Sequence, residues 1–266
     1  MNQRNCLILG SGRSGTSMAA GILARAGYFM GEELWPADIG NPKGYFEDRE
    51  VNKINEELIA PVAPKTPPRG LRKILFGDIP ILGHYQHWVA VLRPSESIPC
   101  PPPMNERIRA VTARQPFCFK DPRFSYTLSA WRPHIGDALL LCVFRDPGVT
   151  ASSMVRECRR VDHMKGTAVD ERWAFKVWQA MYSYILEVYY PQGGDWLFVH
   201  YDQLLDGSAG AELERRLGIK IDREFASAEL NRSLVGVATP RRATRLYERL
   251  CGLARYDSGR RAATQG

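Results

Sequence analysis

Asn5-Cys-Leu-Ile-Leu-Gly-Ser-Gly-Arg-Ser-Gly-Thr-Ser-Met-Ala-Ala-Gly-Ile-Leu-Ala-Arg-Ala26 decides the fold class of this chain. A short apolar strand, Cys6–Leu9, runs into a glycine-rich loop and then an Ala/Leu-rich helix closed by Gly27. Successive backbone N–H groups and a helix N-terminus then converge on one point, which makes a cradle for an anion. The spacing Gly10-x4-Gly15 fits the frame of a nucleotide-binding P-loop, but Thr16 stands where that frame carries lysine. The loop's cation is instead Arg13, so the cradle suits an anhydride less charged than a nucleoside triphosphate.

Outward from this loop, the chain alternates as an α/β protein does. Strands are expected at Cys6–Leu9, Phe117–Lys120, Leu139–Phe144 and Trp196–His200. Helices are expected at Thr16–Ala26, Glu50–Leu58, Pro147–Arg160, Asp170–Tyr189 and Ser208–Leu217. The strands are short and continuously apolar, which implies a central parallel sheet with helices on both faces. Residues 1–256 are read as one domain. Prolines from Pro61 to Pro103 interrupt regular structure over 60–103, an irregular insertion expected to carry one short helix near His84–Leu92 and to serve as an acceptor-side lid. The polar stretch 257–266 reads as a disordered tail.

The 266 residues carry 44% hydrophobic side chains, enough for a packed core, and 36 Lys+Arg against 29 Asp+Glu give a net charge of +7. That balance fits an anionic ligand. The first apolar run ends after five residues, too short for a signal peptide. Ala138–Phe144 is too short to span a bilayer. No membrane anchor is expected, and a cytoplasmic location follows from cysteines without pairing or metal-ligand spacing.

A second strand–turn–helix unit, Leu139 to Met154, places Arg145 at the end of an apolar strand and Ser153 eight residues later. An arginine fork and a helix-borne hydroxyl suit a phosphate monoester. With these two units the chain resembles the sulfotransferases that depend on 3′-phosphoadenosine 5′-phosphosulfate (PAPS). Gly12-Arg-Ser-Gly-Thr-Ser17 matches the family's 5′-phosphosulfate loop, and Arg145 with Ser153 matches its 3′-phosphate motif. Phe198 to Leu205 looks like the strand end whose Tyr201 lies near adenine. Asn41-Pro-Lys-Gly-Tyr-Phe-Glu-Asp48 and Lys120-Asp-Pro-Arg123 look like segments common in bacterial members.

The resemblance implies a P-loop NTPase-like sulfotransferase fold. It also implies in-line transfer of a sulfuryl group to a hydroxyl or amine, with adenosine 3′,5′-bisphosphate leaving and no metal required. Gly12, Arg13, Ser14, Gly15, Thr16 and Ser17 would hold the phosphosulfate. Arg145, Ser153, Tyr201 and the basic pair Arg241 and Arg242 would hold the nucleotide, and Arg13 and Lys120 would neutralise the transferring group. Family members use a His at the central strand end or a Glu after the first helix as base. No His stands at Lys120-Asp121, so the base is expected among Glu47, Glu33 and Asp121, with Glu47 ranked first. His84 and His87, three apart beside Tyr85 and Trp88, fit acceptor contact or packing better than metal ligation. The acceptor class stays open among small molecules, natural-product scaffolds and saccharides, and no nucleic-acid partner is expected. The competing readings are a P-loop kinase and a non-catalytic nucleotide-binding module.

Overall fold

The computed structural model describes residues 3–63, 80–222 and 236–257. Four parallel strands, β1 (Cys6–Leu9), β2 (Cys118–Lys120), β3 (Leu139–Phe144) and β4 (Asp195–His200), form one sheet in the order β2-β1-β3-β4. The register is continuous across it: Cys6 lies opposite both Cys118 and Leu139, and Leu139–Phe144 pairs residue for residue with Asp195–His200. The α/β class and the covered parallel sheet stand as expected. Successive strand side chains point to opposite faces. Leu7, Leu9, Leu140, Cys142 and Phe144 therefore join one buried cluster, and Cys6, Ile8, Leu139, Leu141 and Val143 join another.

The thinner layer holds α1 (Thr16–Arg25), with Leu204 of α7 (Tyr201–Leu205) and Leu213 and Leu217 of α8 (Gly210–Leu217). The thicker layer holds α2 (Arg49–Ile59), α3 (Pro102–Val111), α4 (Phe124–Trp131), α5 (Pro147–Arg160), α6 (Glu171–Ser183) and α9 (Arg241–Ala254). Past Ser183, α6 widens into a π-helical turn over Tyr184–Tyr189. Among the described residues no helix is long and apolar enough to cross a membrane. All six cysteines are free thiols, and five of them are buried.

Several elements depart from the sequence expectation. Pro102 and Pro103 do not break a helix but open one, because the first helical turn needs no N–H partner and proline's fixed φ suits it. Helices α4 and α9 follow Pro122 and Pro240 and were not anticipated. Only a three-residue 3-10 turn, His87–Val89, stands where a short helix was expected. Of the 60–103 insertion, 64–79 lies outside the described residues, as does 258–266 of the tail. The rest is stitched into the core rather than laid over it. Val89, Ala90, Leu92 and Ile98 are buried, and helix side chains satisfy their irregular backbone. Trp173 Nε1 donates to the Val89 carbonyl at 2.9 Å, Tyr126 Oη to Ala90 at 2.8 Å, and Tyr184 Oη to Glu96 at 2.6 Å.

A buried polar cluster joins this segment to the end of β2. His87 Nδ1 and Glu56 Oε1 are 2.6 Å apart, Arg123 Nη1 donates to Glu56 Oε2 at 2.6 Å, and Arg123 Nε donates to Asp121 Oδ1 at 2.9 Å. Asn52 and Asn55 each donate to Asp121 Oδ2, at 2.8 and 2.9 Å. Asn55 Oδ1 in turn accepts from Thr127 and Trp131. Asn55→Ala strands Trp131 Nε1 and takes one donor from the buried Asp121 carboxylate, while Thr127 keeps the Arg123 carbonyl, so it lowers unfolding free energy by about 2 kcal/mol. Urea denaturation measures this, and a loss under about 1 kcal/mol would contradict the shared-acceptor role.

The cluster also sets an acid limit. Burial alone would raise the Glu56 carboxyl, but the His87 hydrogen bond and the Arg123 charge outweigh it and hold the group below its usual value of 4.5. A depressed carboxyl stabilises the fold above its unfolded pKa, and that stability is lost as pH falls through the lower, folded value. The urea midpoint of the wild type should therefore fall more steeply below about pH 4.5 than that of Glu56→Gln, which starts less stable at pH 7. Parallel slopes would show that Glu56 is not held ionised.

Candidate functional site

The strand order sets out the site. The C-terminal ends of β2, β1, β3 and β4 deliver, side by side, Lys120, the Gly10–Gly15 loop, Arg145 and Tyr201. The chain runs from β1 to β2 on one side and returns past β1 to β3 on the other, so the loop sits at the switch point where open α/β sheets form their ligand crevice.

The loop is shaped for an anion. Arg13 adopts a left-handed backbone (φ 68°), and Ser14 N turns back to Ser11 O at 3.2 Å. Gly15, at φ 97°, caps α1 with no side chain of its own, which leaves the first-turn amides of the helix without a side-chain cap. A Cβ on Gly15 would stand 2.5 Å from the Tyr201 ring, so only glycine fits between the loop and that ring. Gly10 N and Ser11 N are already taken, by Ser125 Oγ and Tyr182 Oη. The first-turn amides of α1 are therefore the loop's candidates for holding an anion.

Two cavities share this wall. The narrower, of about 140 Å³, is lined by Gly15, Thr16 and Ser17 together with Arg13, Lys43, Arg145 and Arg156, and among the described residues by no carboxylate. Ser153, Tyr201, Asn41 and Phe46 complete much of its wall. The Arg145 guanidinium lies 4.1 Å from the Tyr201 ring centroid, a cation–π contact that fixes its plane. Asp146 accepts from Val149 N at 2.9 Å and caps α5.

The wider cavity, of about 660 Å³, lies on the β2 side and shares Arg13, Thr16 and Ser17 with the first. Lys120 Nζ spans the junction. It donates to Ser17 Oγ at 3.2 Å and forms an ion pair with Glu47, and the Lys120 side chain is only 1% exposed. Arg13 ties the two halves together. Its Nε donates to Ser153 Oγ at 3.2 Å, its Nη1 lies 3.1 Å from Glu157 Oε1, and both terminal nitrogens reach the Gly40 carbonyl at 3.4 Å. Tyr45 Oη donates to Asp38 Oδ1 at 2.8 Å. Burial and that bond push the phenol well above its usual pKa, so it stays protonated as a donor.

Of the residues singled out in the sequence, Arg13, Gly15, Thr16, Ser17, Arg145, Ser153 and Tyr201 meet around the narrow cavity. Gly12, Glu47 and Lys120 line the wide one. The others do not join them. Ser14 is wholly buried beneath the loop. Both oxygens of Asp121 are held by Asn52, Asn55 and Arg123, and Asp121 lines neither cavity. Glu33 pairs with Arg49 at 2.5 Å on the surface. Arg241 and Arg242 are exposed on the first turn of α9, because its buried face is Ala243, Leu250, Cys251 and Ala254. His87 is buried against Glu56, and the exposed His84 lies tilted against Tyr85 with ring centroids 4.1 Å apart, so the two do not share a face. His200 caps α7 and meets Tyr247 at 3.1 Å.

Among the described residues no group of three or more His, Cys, Asp or Glu side chains has metal-binding proximity. Sequence reasoning missed Lys43, Arg156 and Glu157. Arg156 and Glu157 stand three and four residues after Ser153 on one helix, a spacing that brings them to the same face. Trp35 had no local signal, since only the tertiary fold brings it against Tyr85.

No protein-family description matches the chain, and no curated protein matches it. Among solved structures it is similar to a sulfotransferase domain from the curacin biosynthetic pathway, at 12% identity and a TM-score of 0.49, covering 96% of this chain and 99% of that one. It is also similar to the sulfotransferase STF1 of Mycobacterium tuberculosis H37Rv, at 14% identity and a TM-score of 0.40, covering 95% and 78%.

Proposed function

We propose that the protein is a PAPS-dependent sulfotransferase that sulfates a hydroxyl or amine of a small acceptor. The observation that carries this reading is the division of labour between the cavities. One is cationic and, among the described residues, has no carboxylate in its wall; the other is wide and carries Glu47, paired with Lys120 next to the shared Ser17. The donor set fits the donor molecule. Arg13 and the α1 amides suit a phosphosulfate, and Arg145 with Ser153 suits a separate phosphate monoester beside the Tyr201 ring. PAPS supplies, when bound, a sulfo group already activated as a mixed anhydride.

The chain's own residues do the rest. Ser153 accepts from Arg13 and keeps its hydroxyl proton for an anion. The α1 amides, Arg13 and Lys120 are fixed donors in a low-dielectric setting, placed before charge develops and needing no reorganisation. Glu47, at the junction, is the carboxylate that takes the acceptor's proton, and Lys120 holds it in place. A kinase would need Asp121 for a divalent ion, and that carboxylate is committed to Asn52, Asn55 and Arg123. A non-catalytic binding module would have no use for Glu47 beside Lys120.

Adenosine 3′,5′-bisphosphate at about 100 times its Kd should raise Tm by about 5–10 °C, and Mg-ATP should not. Arg145→Ala should abolish that rise. Stabilisation by Mg-ATP alone, or an unchanged response in Arg145→Ala, would overturn the donor assignment. With labelled PAPS and an accepted alcohol, Glu47→Gln should lose about 10²–10⁴ in kcat while keeping the Tm response. Near-normal turnover would remove Glu47 from the base role.

A further inference from the structure

We propose that the wide cavity selects an acceptor whose hydroxyl is borne on a flat apolar body, an aromatic or polycyclic alcohol, and turns away saccharides. This deepens the sulfotransferase reading and rests on it for the reaction, though not for binding. Three half-buried aromatic residues, Trp35, Tyr85 and Trp88, stand in its wall. Trp35 and Tyr85 meet edge to face at 5.7 Å, and Trp88 packs on the cradle itself, where a Cβ on Gly12 would stand 2.7 Å from its ring. Tyr85 holds φ at 64°, a left-handed conformation costly for an aromatic residue, and so keeps its ring in the wall. The exposed large apolar side chains among the described residues are Leu34, Ile39 and Ile81. They fall in the two segments that carry Trp35 and Tyr85, and Ile39, 63% exposed, forms part of the rim.

The polar groups of the wall argue the same way, because they are already matched to one another. Asn52 accepts from Trp35 Nε1 at 2.8 Å and donates to Asp121. Asp38 Oδ1 accepts from Gly40 N, Asn41 N and Tyr45 Oη. Glu157 holds Arg13, and Arg123 is held by Asp121 and Glu56. The remaining charges, Arg160, Asp162 and His163, stand exposed at the mouth. A sugar entering this cavity would lose water from several hydroxyls and find few partners for them. A ring system needs none beyond its one reacting hydroxyl at Glu47, and it gains affinity from the apolar area it covers.

Isothermal titration of the whole protein with 2-naphthol and with methyl β-D-glucopyranoside, each with and without adenosine 3′,5′-bisphosphate, tests this without turnover. The naphthol should bind at least about tenfold more tightly than the glucoside. Tyr85→Gly, which keeps the left-handed backbone and removes the ring, should cost about tenfold in naphthol affinity, and Trp88→Leu a similar factor. The Tm rise with the bisphosphate should persist in Tyr85→Gly. A glucoside bound as tightly as the naphthol, no naphthol binding, or unchanged affinity in both variants would overturn the proposal. Tyr85-dependent naphthol binding without any bisphosphate response would uphold the proposal while removing the PAPS assignment.

Discussion

The Arg13 guanidinium is the interaction on which the site's arrangement depends. It reaches Ser153 and Glu157 on α5 and the Gly40 carbonyl on the loop after α1, from a residue in the β1–α1 turn. One side chain therefore spaces three segments that the sheet alone would leave independent. Its left-handed backbone is the cost of aiming that side chain sideways across the cradle. Because Glu157 is almost fully buried, its charge needs this partner as much as the loop needs the arginine.

A second constraint lies beneath. The Asp121–Arg123–Glu56–His87 cluster balances two buried carboxylates with an arginine and a histidine, and it runs from the residue after Lys120 to the irregular 80–92 segment. Every carboxylate oxygen in it has a hydrogen-bond donor or a close histidine nitrogen, the condition under which such a buried network gives rigidity rather than instability. It anchors the strand end that carries Lys120 and the wall that carries Tyr85 and Trp88.

The shape of the β1–α1 loop was legible because its groups are local. Amides, a cation and hydroxyls lie within six residues, and the strand–turn–helix signal fixes how they converge. Arg145 and Ser153 were legible for the same reason, eight residues apart on one strand–helix unit. The choice among Glu47, Glu33 and Asp121 was not, because the difference between them lies in partners distant in sequence. Asp121 is consumed by amides from α2, and Glu33 by Arg49, while Glu47 meets the lysine of a strand more than seventy residues away. The Pro-rich segment misled because proline density signals irregular backbone but not burial. Aromatic tips from α4, α6 and the turn beyond it supply the hydrogen bonds that let such a backbone enter a core.

The segments around residues 34–48 and 80–92 have a consequence for how this chain can diversify. They carry much of the wide cavity's wall, yet they are pinned at a few points, among them the His87–Glu56 pair and the carbonyls of Val89 and Ala90. Residues between those pins lie outside the strand registers and helix faces that specify the sheet. A change of side chain at 39 or 85 therefore reshapes the wide cavity without touching a residue that lines the narrow one.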